Sequence, residues 1–535
     1  MNVNSKSADG RGEAGSGFWT AVDRILERWS SPGSVALVFF AYGLLHAGLR
    51  LAFSATLPFD DALAEETLQR TFALAYQVRN PPLWEWLIHL LHGLAGPGLT
   101  AHLVLRYGLM VAIGLSLRAA VEEATGDRRT AAAAAYSLFA FYWFGWHFHE
   151  FVTHTLLLIT ACLVHLRLTL RWIKAPDGRT ALLLALVTAV GLITKWNFTL
   201  YLALLVAAMA LRPETRRRLF DARLLGILPA SALTLGPVLT GISQLGGDVV
   251  AMSRSNLIGT KPYWERLAEG LGDAAANVPL FFMPWALLVG IALYGSRKVD
   301  GGPVVGFLLR FSVLAVSALV IGVAVLGVRE IGTRYLYPIG LPMVVAALAV
   351  VAARGRGVRS GRIVAVAAPV LVVLVLAVRV TALASPGFTE KNRNRNYEPY
   401  AAVAMRLSEM GYGSAAFVTA LHQESGNLIA ALPDAMAGSA VTVRLMRPMS
   451  YAAERTCVLF WNAGYRTPGR PEPDLALPEA LLALAPDAAT RTAVDLEVPW
   501  AKTLLGSPRV GVYRLIDLGR NAEPCRQVFG PVTDR

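Results

Sequence analysis

Apolar runs long enough to cross about 30 Å of hydrocarbon recur from residue 35 to residue 383 of this chain of 535, and no soluble core absorbs so many of them. The chain therefore reads as a polytopic α-helical membrane protein. Hydrophobic residues are 55% of it and charged residues only 16%. Its net charge of +13 does not point to nucleic acid, because Lys and Arg stand in short clusters between apolar runs, without the interleaved aromatics that bind single strands.

Spans fall near 35–54, 99–120, 131–147, 151–171, 181–194, 197–211, 223–244, 278–295, 305–327, 335–353 and 361–383, about eleven helices. With a cytoplasmic amino terminus, the clusters Arg128-Arg129, Arg171 to Arg179, Arg212 to Arg223, Arg297-Lys298 and Arg354 to Arg362 share one side. The loops holding Asp60-Asp61, His147 to Glu150, Lys195, Gly246 to Asn277 and Arg329 to Arg334 share the other. An odd number of spans exports the carboxy terminus. Residues 1–34 are then a cytoplasmic tail, of which Met1 to Gly17 is polar, Gly/Ser-rich and expected to be disordered.

From Ser385 the texture becomes that of a soluble α/β domain, residues 385–535. Strands are expected at Ala415–Thr419, Val441–Leu445, Cys457–Trp461 and Val510–Ile516, and helices at Tyr400–Met410 and Pro478–Leu484. Three cysteines exclude a disulfide scaffold and a zinc ribbon. Cys457 and Cys525 lie in the exported domain, where pairing is permitted; two free buried thiols are the expectation, and Cys162 is a small core residue.

Within the catalytic portion, residues 35–384, the loop of residues 55–98 is the most informative. It opens on Pro58-Phe59-Asp60-Asp61 and continues through Arg79-Asn80-Pro81-Pro82 into an aromatic amphipathic helix. Adjacent carboxylates at a membrane exit, followed by such a helix, describe an active-site loop at the lipid–water boundary. Trp84 and Trp86 are expected in the headgroup layer, with His89 and His92 on the helix's polar side. A second polar crowd, His147 to His154, is no zinc hydrolase: His149 and His154, five apart, would diverge by about 140° on a helix.

Four segments carry a resemblance. Asp60-Asp61, Tyr76 to Leu87, Gly191-Leu192-Ile193-Thr194-Lys195-Trp196-Asn197 and Arg334-Tyr335-Leu336-Tyr337-Pro338 are similar to the GT-C membrane glycosyltransferases of the protein-O-mannosyltransferase and aminoarabinose-transferase (ArnT-type) group. The resemblance covers residues 35–350 and implies a polyprenyl-phosphate-linked sugar donor and a site on the outer face of the cell inner membrane. The implied acceptor is a glycolipid, lipid A, a polysaccharide or a protein; no sugar is specified.

The chemistry of such a transfer assigns the remaining expectations. An acceptor hydroxyl is a weak nucleophile and needs a carboxylate to take its proton; the resemblance gives that role to Asp60. Asp61 is its orienting partner or a helix N-cap for Ala62 to Tyr76. The leaving phosphate needs cations, for which Lys195, Arg334 and Arg329 are the candidates, snorkelling to the interface being the plain alternative. Arg79 reads as an interfacial anchor. His149 and Glu150 are candidates for substrate contact, through a divalent ion or directly, against interhelical hydrogen bonding. A transporter or flippase of lipid-linked sugars would place its polar groups mid-span in paired repeats, which are not apparent; a non-enzymatic scaffold leaves the acidic pair unexplained.

Overall fold

The computed structural model describes residues 10–54, 56–69, 71–246, 248–296, 302–385, 398–441, 451–469, 471–500, 507–530 and 532–533. The expected disordered tail is helical where it is described: α1 spans Gly10–Arg28. Val22 and Leu26, four apart, form one buried face. Asp23 accepts from Arg362 at 3.0 and 2.7 Å, so α1 lies along a later helix as an amphipathic strut.

Seven helices are long and apolar enough to cross a bilayer among the described residues. They include α2 (Pro32–Phe53), preceded by the short loop residues, and, after α3 (Phe59–Leu68) and α4 (Leu83–Ala95) in the polar loop, α5 (Leu99–Thr125). The expected span 131–147 is broken. Its buried Ala131–Ala135 lie in α6 (Arg128–Tyr136), but a 3₁₀ turn at Ser137–Ala140 and a π turn at Trp143–His147 follow before the single turn α7 (Phe148–Glu150). The break coincides with a cluster of Phe141, Trp143, Phe281 and Trp285, whose rings pack 4.7–5.6 Å apart in successive pairs.

Next come α8 (His154–Lys174), the shorter apolar α9 (Gly178–Leu192) and α10 (Asn197–Ala210), then α11 (Pro213–Leu219) and α12 (Ile227–Gln244). The region expected to be an outer loop, 246–277, holds α13 (Val249–Leu257) and most of α14 (Tyr263–Phe282). The span expected at 278–295 is interrupted at Pro284, leaving α15 (Trp285–Leu293) as a nine-residue helix. Three long apolar helices close the bundle: α16 (Gly302–Ala324), α17 (Thr333–Ala353) and α18 (Gly357–Ala384). Against the expected eleven spans, seven helices among the described residues have the length and hydropathy to cross a bilayer, with α9 and α10 as shorter apolar helices beside them.

Small residues set the closest approaches in the bundle, as is usual where apolar helices have no water to flee. A Cβ on Gly43 would lie 2.9 Å from Tyr107, and one on Gly114 would lie 2.9 Å from the Phe39 ring, which holds α2 tight against α5. Ion pairs gather several basic segments at one end: Arg129 with Glu27 at 2.9 Å, Arg362 with Asp23 at 2.7 Å and Lys174 with Glu123 at 3.4 Å.

The carboxy-terminal unit contains α19 (Tyr400–Glu409), β1 (Ala416–Thr419), α20 (His422–Ala431), β2 (Met436–Ser439), β3 (Tyr451–Ala452), β4 (Thr456–Arg466), α21 (Glu479–Leu484), β5 (Val494–Pro499), β6 (Val510–Arg520), α22 (Glu523–Phe529) and β7 (Val532–Thr533). Its five-stranded sheet has the order β2-β1-β4-β6-β5, with β1 parallel to both neighbours and β6 antiparallel to both of its own. The β1–α20–β2 connection lays α20 on one face of the sheet, where Leu428 and Ile429 join Phe417 and Phe460 in the core. The expected strand Val441–Leu445 falls mostly outside the described residues, and a strand not expected from the sequence, Met436–Ser439, pairs with β1. Cys457 and Cys525 are not free thiols: they form a disulfide, Cα–Cα 6.0 Å, that ties β4 to α22.

Candidate active site

Pro58, with its extended backbone, ends the chain's exit from α2 and starts α3, so Asp60 and Asp61 both sit in the first turn of that helix. That placement overturns the cap reading of Asp61, since the N-cap position belongs to Pro58 and α3 ends at Leu68, well short of Tyr76. The side chain of Asp61 is fully buried. It accepts from Arg106 at 2.6 Å and lies 3.5 Å from Nδ1 of His102.

The two neighbouring carboxyls are driven apart. Burial pushes Asp60 up to about 6, helped by the adjacent Asp61 charge and opposed by Arg106, Lys195 and Arg334. Burial pulls Asp61 upward as well, but Arg106 and His102 outweigh it and hold that carboxyl at about 2. One carboxylate is thus a fixed anion locked in an ion pair, and its half-buried neighbour is available to exchange a proton near neutrality.

Charges from distant parts of the chain, those of Arg106, Lys195 and Arg334, bear on the Asp60 carboxyl. Lys195 occupies the turn between α9 and α10, where its ammonium donates to Thr155 Oγ1 at 2.9 Å. Burial lowers it to about 7, with Arg334 and Arg79 adding to the effect and Asp60 opposing it. The turn is docked on the polar loop: Trp196 Nε1 donates to the Val78 carbonyl at 3.1 Å, and Leu83 N–H to the Ile193 carbonyl at 3.3 Å. Those two bonds hold the segment that carries the exposed Arg79 against the Lys195 turn, and the Arg79 charge bears on Lys195. Arg334, in the first turn of α17, pairs with Glu330 and sits 5.0 Å over the Tyr335 ring, half-exposed toward the same region. Arg329 is turned elsewhere, 3.8 Å from Glu269 on α14.

His149 and Glu150 are drawn inward. The ring nitrogens of His149 lie 2.9 Å from the Tyr42 hydroxyl and 3.0 Å from that of Tyr107, and its ring stacks on His46 at 4.1 Å. Glu150 accepts from Arg379 of α18 at 2.6 Å, both side chains being buried. Interhelical hydrogen bonding therefore occupies the residues that were candidates for substrate or metal contact. Trp84 also departs from expectation, since α4 rests on α3 and α8 and buries that indole completely against Leu68 and Leu157. Trp86 stays near the edge, donating to the Ala73 carbonyl at 2.7 Å and stacking on Phe72.

Three residues of this region were passed over in the sequence, Glu65, His102 and Arg106, and His92 was read only as part of the polar side of its helix. Glu65 follows Asp61 by one helical turn, and one of its oxygens lies 2.8 Å from His92 Nε2 and 2.9 Å from His102 Nε2. The two imidazoles hold its carboxyl at about 2 against the pull of burial. The ligating atoms of Glu65, His92 and His102 lie within 4.8 Å of one another, and among the described residues these three form the cluster with the spacing to hold a metal ion. Two imidazoles and one carboxylate suit zinc. The signal for them was present: His102 and Arg106 are ionisable groups four apart inside an apolar span, and such residues mark function or buried partners by default.

No protein-family model matches the chain. It is 28% identical over 243 residues to the lipopolysaccharide core galacturonosyltransferase RgtA of Rhizobium johnstonii, covering 44% of this chain and 48% of that protein. It is 27% identical over 195 residues to RgtB of the same organism, covering 36% and 39%. The match thus spans about half the length of these curated relatives or less. Among solved structures, ArnT from Cupriavidus metallidurans bound to undecaprenyl phosphate superimposes with a TM-score of 0.57 at 13% identity, covering 89% of this chain and 97% of that one. The apo form of the same protein gives 0.52. The chain has the ArnT-type GT-C fold, a multi-pass helical bundle followed by a carboxy-terminal sheet unit.

Proposed function

We propose that this chain is a membrane glycosyltransferase that moves a sugar from a polyprenyl-phosphate carrier onto an envelope glycolipid, with Asp60 as general base. The observation that carries the reading is the split acidic pair: Asp61 is held by Arg106 at 2.6 Å, while burial raises the neighbouring Asp60 carboxyl to about 6 against the pull of Arg106, Lys195 and Arg334. The sequence relatives act on the lipopolysaccharide core, which favours a lipopolysaccharide acceptor over a polysaccharide or a protein. Undecaprenyl phosphate in the structural neighbour is in keeping with a polyprenyl-phosphate donor.

In this mechanism the acceptor hydroxyl attacks the anomeric carbon in a single displacement. The new C–O bond forms as the bond from C1 to the phosphate oxygen breaks, the hydroxyl proton passes to Asp60, and the anomeric centre inverts. Lys195 and Arg334, with Arg79 beside them, neutralise the phosphate as it leaves. The disulfide in the carboxy-terminal unit favours an oxidising compartment and hence a site on the outer face of the inner membrane. The test is to offer a radiolabelled polyprenyl-phosphate sugar and lipopolysaccharide acceptor to purified protein in liposomes. Asp60-dependent release of free polyprenyl phosphate with label in the acceptor supports the reading. Movement of intact donor between leaflets without release contradicts it and identifies a transporter.

A further inference from the structure

Helix α3, which carries Asp60, is held by the carboxy-terminal unit at every stage of its length. Before it, the Leu57 N–H donates to Asn427 Oδ1 at 2.7 Å and the Leu57 carbonyl accepts from Asn427 Nδ2 at 3.3 Å; the Thr56 hydroxyl reaches the Glu398 carbonyl. At its first residue the Phe59 ring meets the His422 ring edge-on at 4.0 Å. In its middle, α20 crosses so closely that a Cβ on Gly426 would sit 1.9 Å from the Ala62 carbonyl oxygen, a contact only glycine permits. Further on, Glu66 accepts from the Ser439 N–H at 2.5 Å, and at the end Gln69, in the left-handed conformation at φ 44°, donates to the Ala437 carbonyl. Asn427, Glu66 and Ser439 are buried. A ten-residue helix bounded by proline-led loop on one side and a left-handed residue on the other has little rigidity of its own. Left-handed non-glycine residues persist where their surroundings over-determine them.

We infer that the carboxy-terminal unit positions the acidic helix for transfer, with Glu66, Gly426 and Asn427 as positioning residues that act through Asp60. This rests on the reading of Asp60 as the base. The unit is then part of the catalytic apparatus, and its clamp fixes the Asp60 carboxylate relative to the cations supplied by the bundle. A misplacement of about 1 Å at a reacting group is enough to cost roughly a hundredfold in rate.

The experiment uses the full-length protein in proteoliposomes, comparing Glu66→Ala, Glu66→Gln, Gly426→Ala, Asp60→Asn and the double variant Asp60→Asn/Glu66→Ala. Glu66→Ala and Gly426→Ala should lower kcat at least about tenfold with the donor KM within about twofold, whereas Glu66→Gln, which keeps an acceptor oxygen for Ser439, should stay within about threefold of wild type. In the Asp60→Asn background, Glu66→Ala should add no further loss, because there is no base left to misplace. Asn427→Ala gives the same reading where Glu66→Ala fails to fold. Wild-type kcat in Glu66→Ala or Asn427→Ala, or fully additive losses in the double variant, would overturn the inference while leaving the base in place. Normal transfer by Asp60→Asn would instead remove the base, and the inference with it.

Discussion

Two polar crowds stand at membrane exits in this chain, around Asp60-Asp61 and around His149-Glu150, and the fold treats them in opposite ways. In the second, the two candidate residues are both engaged by the protein: Glu150 has Arg379 at 2.6 Å, and His149 has the hydroxyls of Tyr42 and Tyr107. In the first, Asp61 is locked on Arg106 but Asp60 remains half-buried among cations with its carboxyl raised to about 6. A satisfied network stabilises; a charge left poised beside others that are not fully spent is equipped for chemistry. Polarity at a membrane exit does not by itself separate the two.

The comparison breaks most visibly in stability. Removing one partner of the buried Glu150–Arg379 pair leaves an uncompensated charge and should cost about 3–5 kcal/mol. Glu150→Ala should therefore unfold at markedly lower temperature in detergent, while the specific activity of the folded fraction stays within about twofold of wild type. A large loss of activity at unchanged stability would move Glu150 into the site.

The cations sharpen the contrast at the next level. Arg334→Ala should reduce kcat/KM about ten- to a hundredfold, the worth of about 1.5–3 kcal/mol for a lost charge-assisted contact to phosphate. Arg79→Ala should fall between Arg334→Ala and wild type, since the Arg79 charge acts on Lys195 and so reaches the site only through it. Arg329→Ala, whose partner is Glu269, should be nearly silent. Equal effects at all three positions would dissolve the assignment.

The pH profile carries the smallest and most specific signature. Asp60 must be ionised to accept a proton, so the rate should rise as pH passes about 6; Lys195 must be protonated to neutralise phosphate, so it should fall above about 7. Beyond each edge kcat/KM should drop about tenfold per pH unit, giving a narrow bell for the free enzyme. Lys195→Arg, charged throughout this range, should erase the alkaline limb and leave the acid limb. A profile flat from about 5 to 8 would contradict both assignments.

Much of this was legible in the chain. The polytopic class, the place of the acidic loop and the α/β carboxy-terminal unit all follow from hydropathy and composition, which are local. Asp60, Lys195 and Arg334 were singled out through the motifs around them, and in the structure the charges of Lys195 and Arg334 bear on the Asp60 carboxyl. What escaped depended on partners distant in sequence. Asp61 looks like a helix cap until Arg106, 45 residues on, is folded against it. Trp84 looks like an interfacial anchor until α3 and α8 cover it, and Glu65 is one more acid in a loop until two histidines from α4 and α5 meet on it. The break in the expected span 278–295 falls at Pro284, and the one in 131–147 coincides with aromatic packing of Phe141 and Trp143 on Trp285 and Phe281, for which hydropathy has no term.

The central claim is that Asp60 does chemistry and not architecture, and the most direct measurement pairs donor binding with transfer in Asp60→Asn. The substitution keeps shape and hydrogen-bonding capacity at a half-buried position, so melting temperature and affinity for the polyprenyl-phosphate sugar should change little. Transfer should fall by about 10²–10⁴-fold, the usual contribution of a general base. Near-normal transfer in that variant, or a loss of transfer fully explained by lost donor binding or lost fold, would contradict the account.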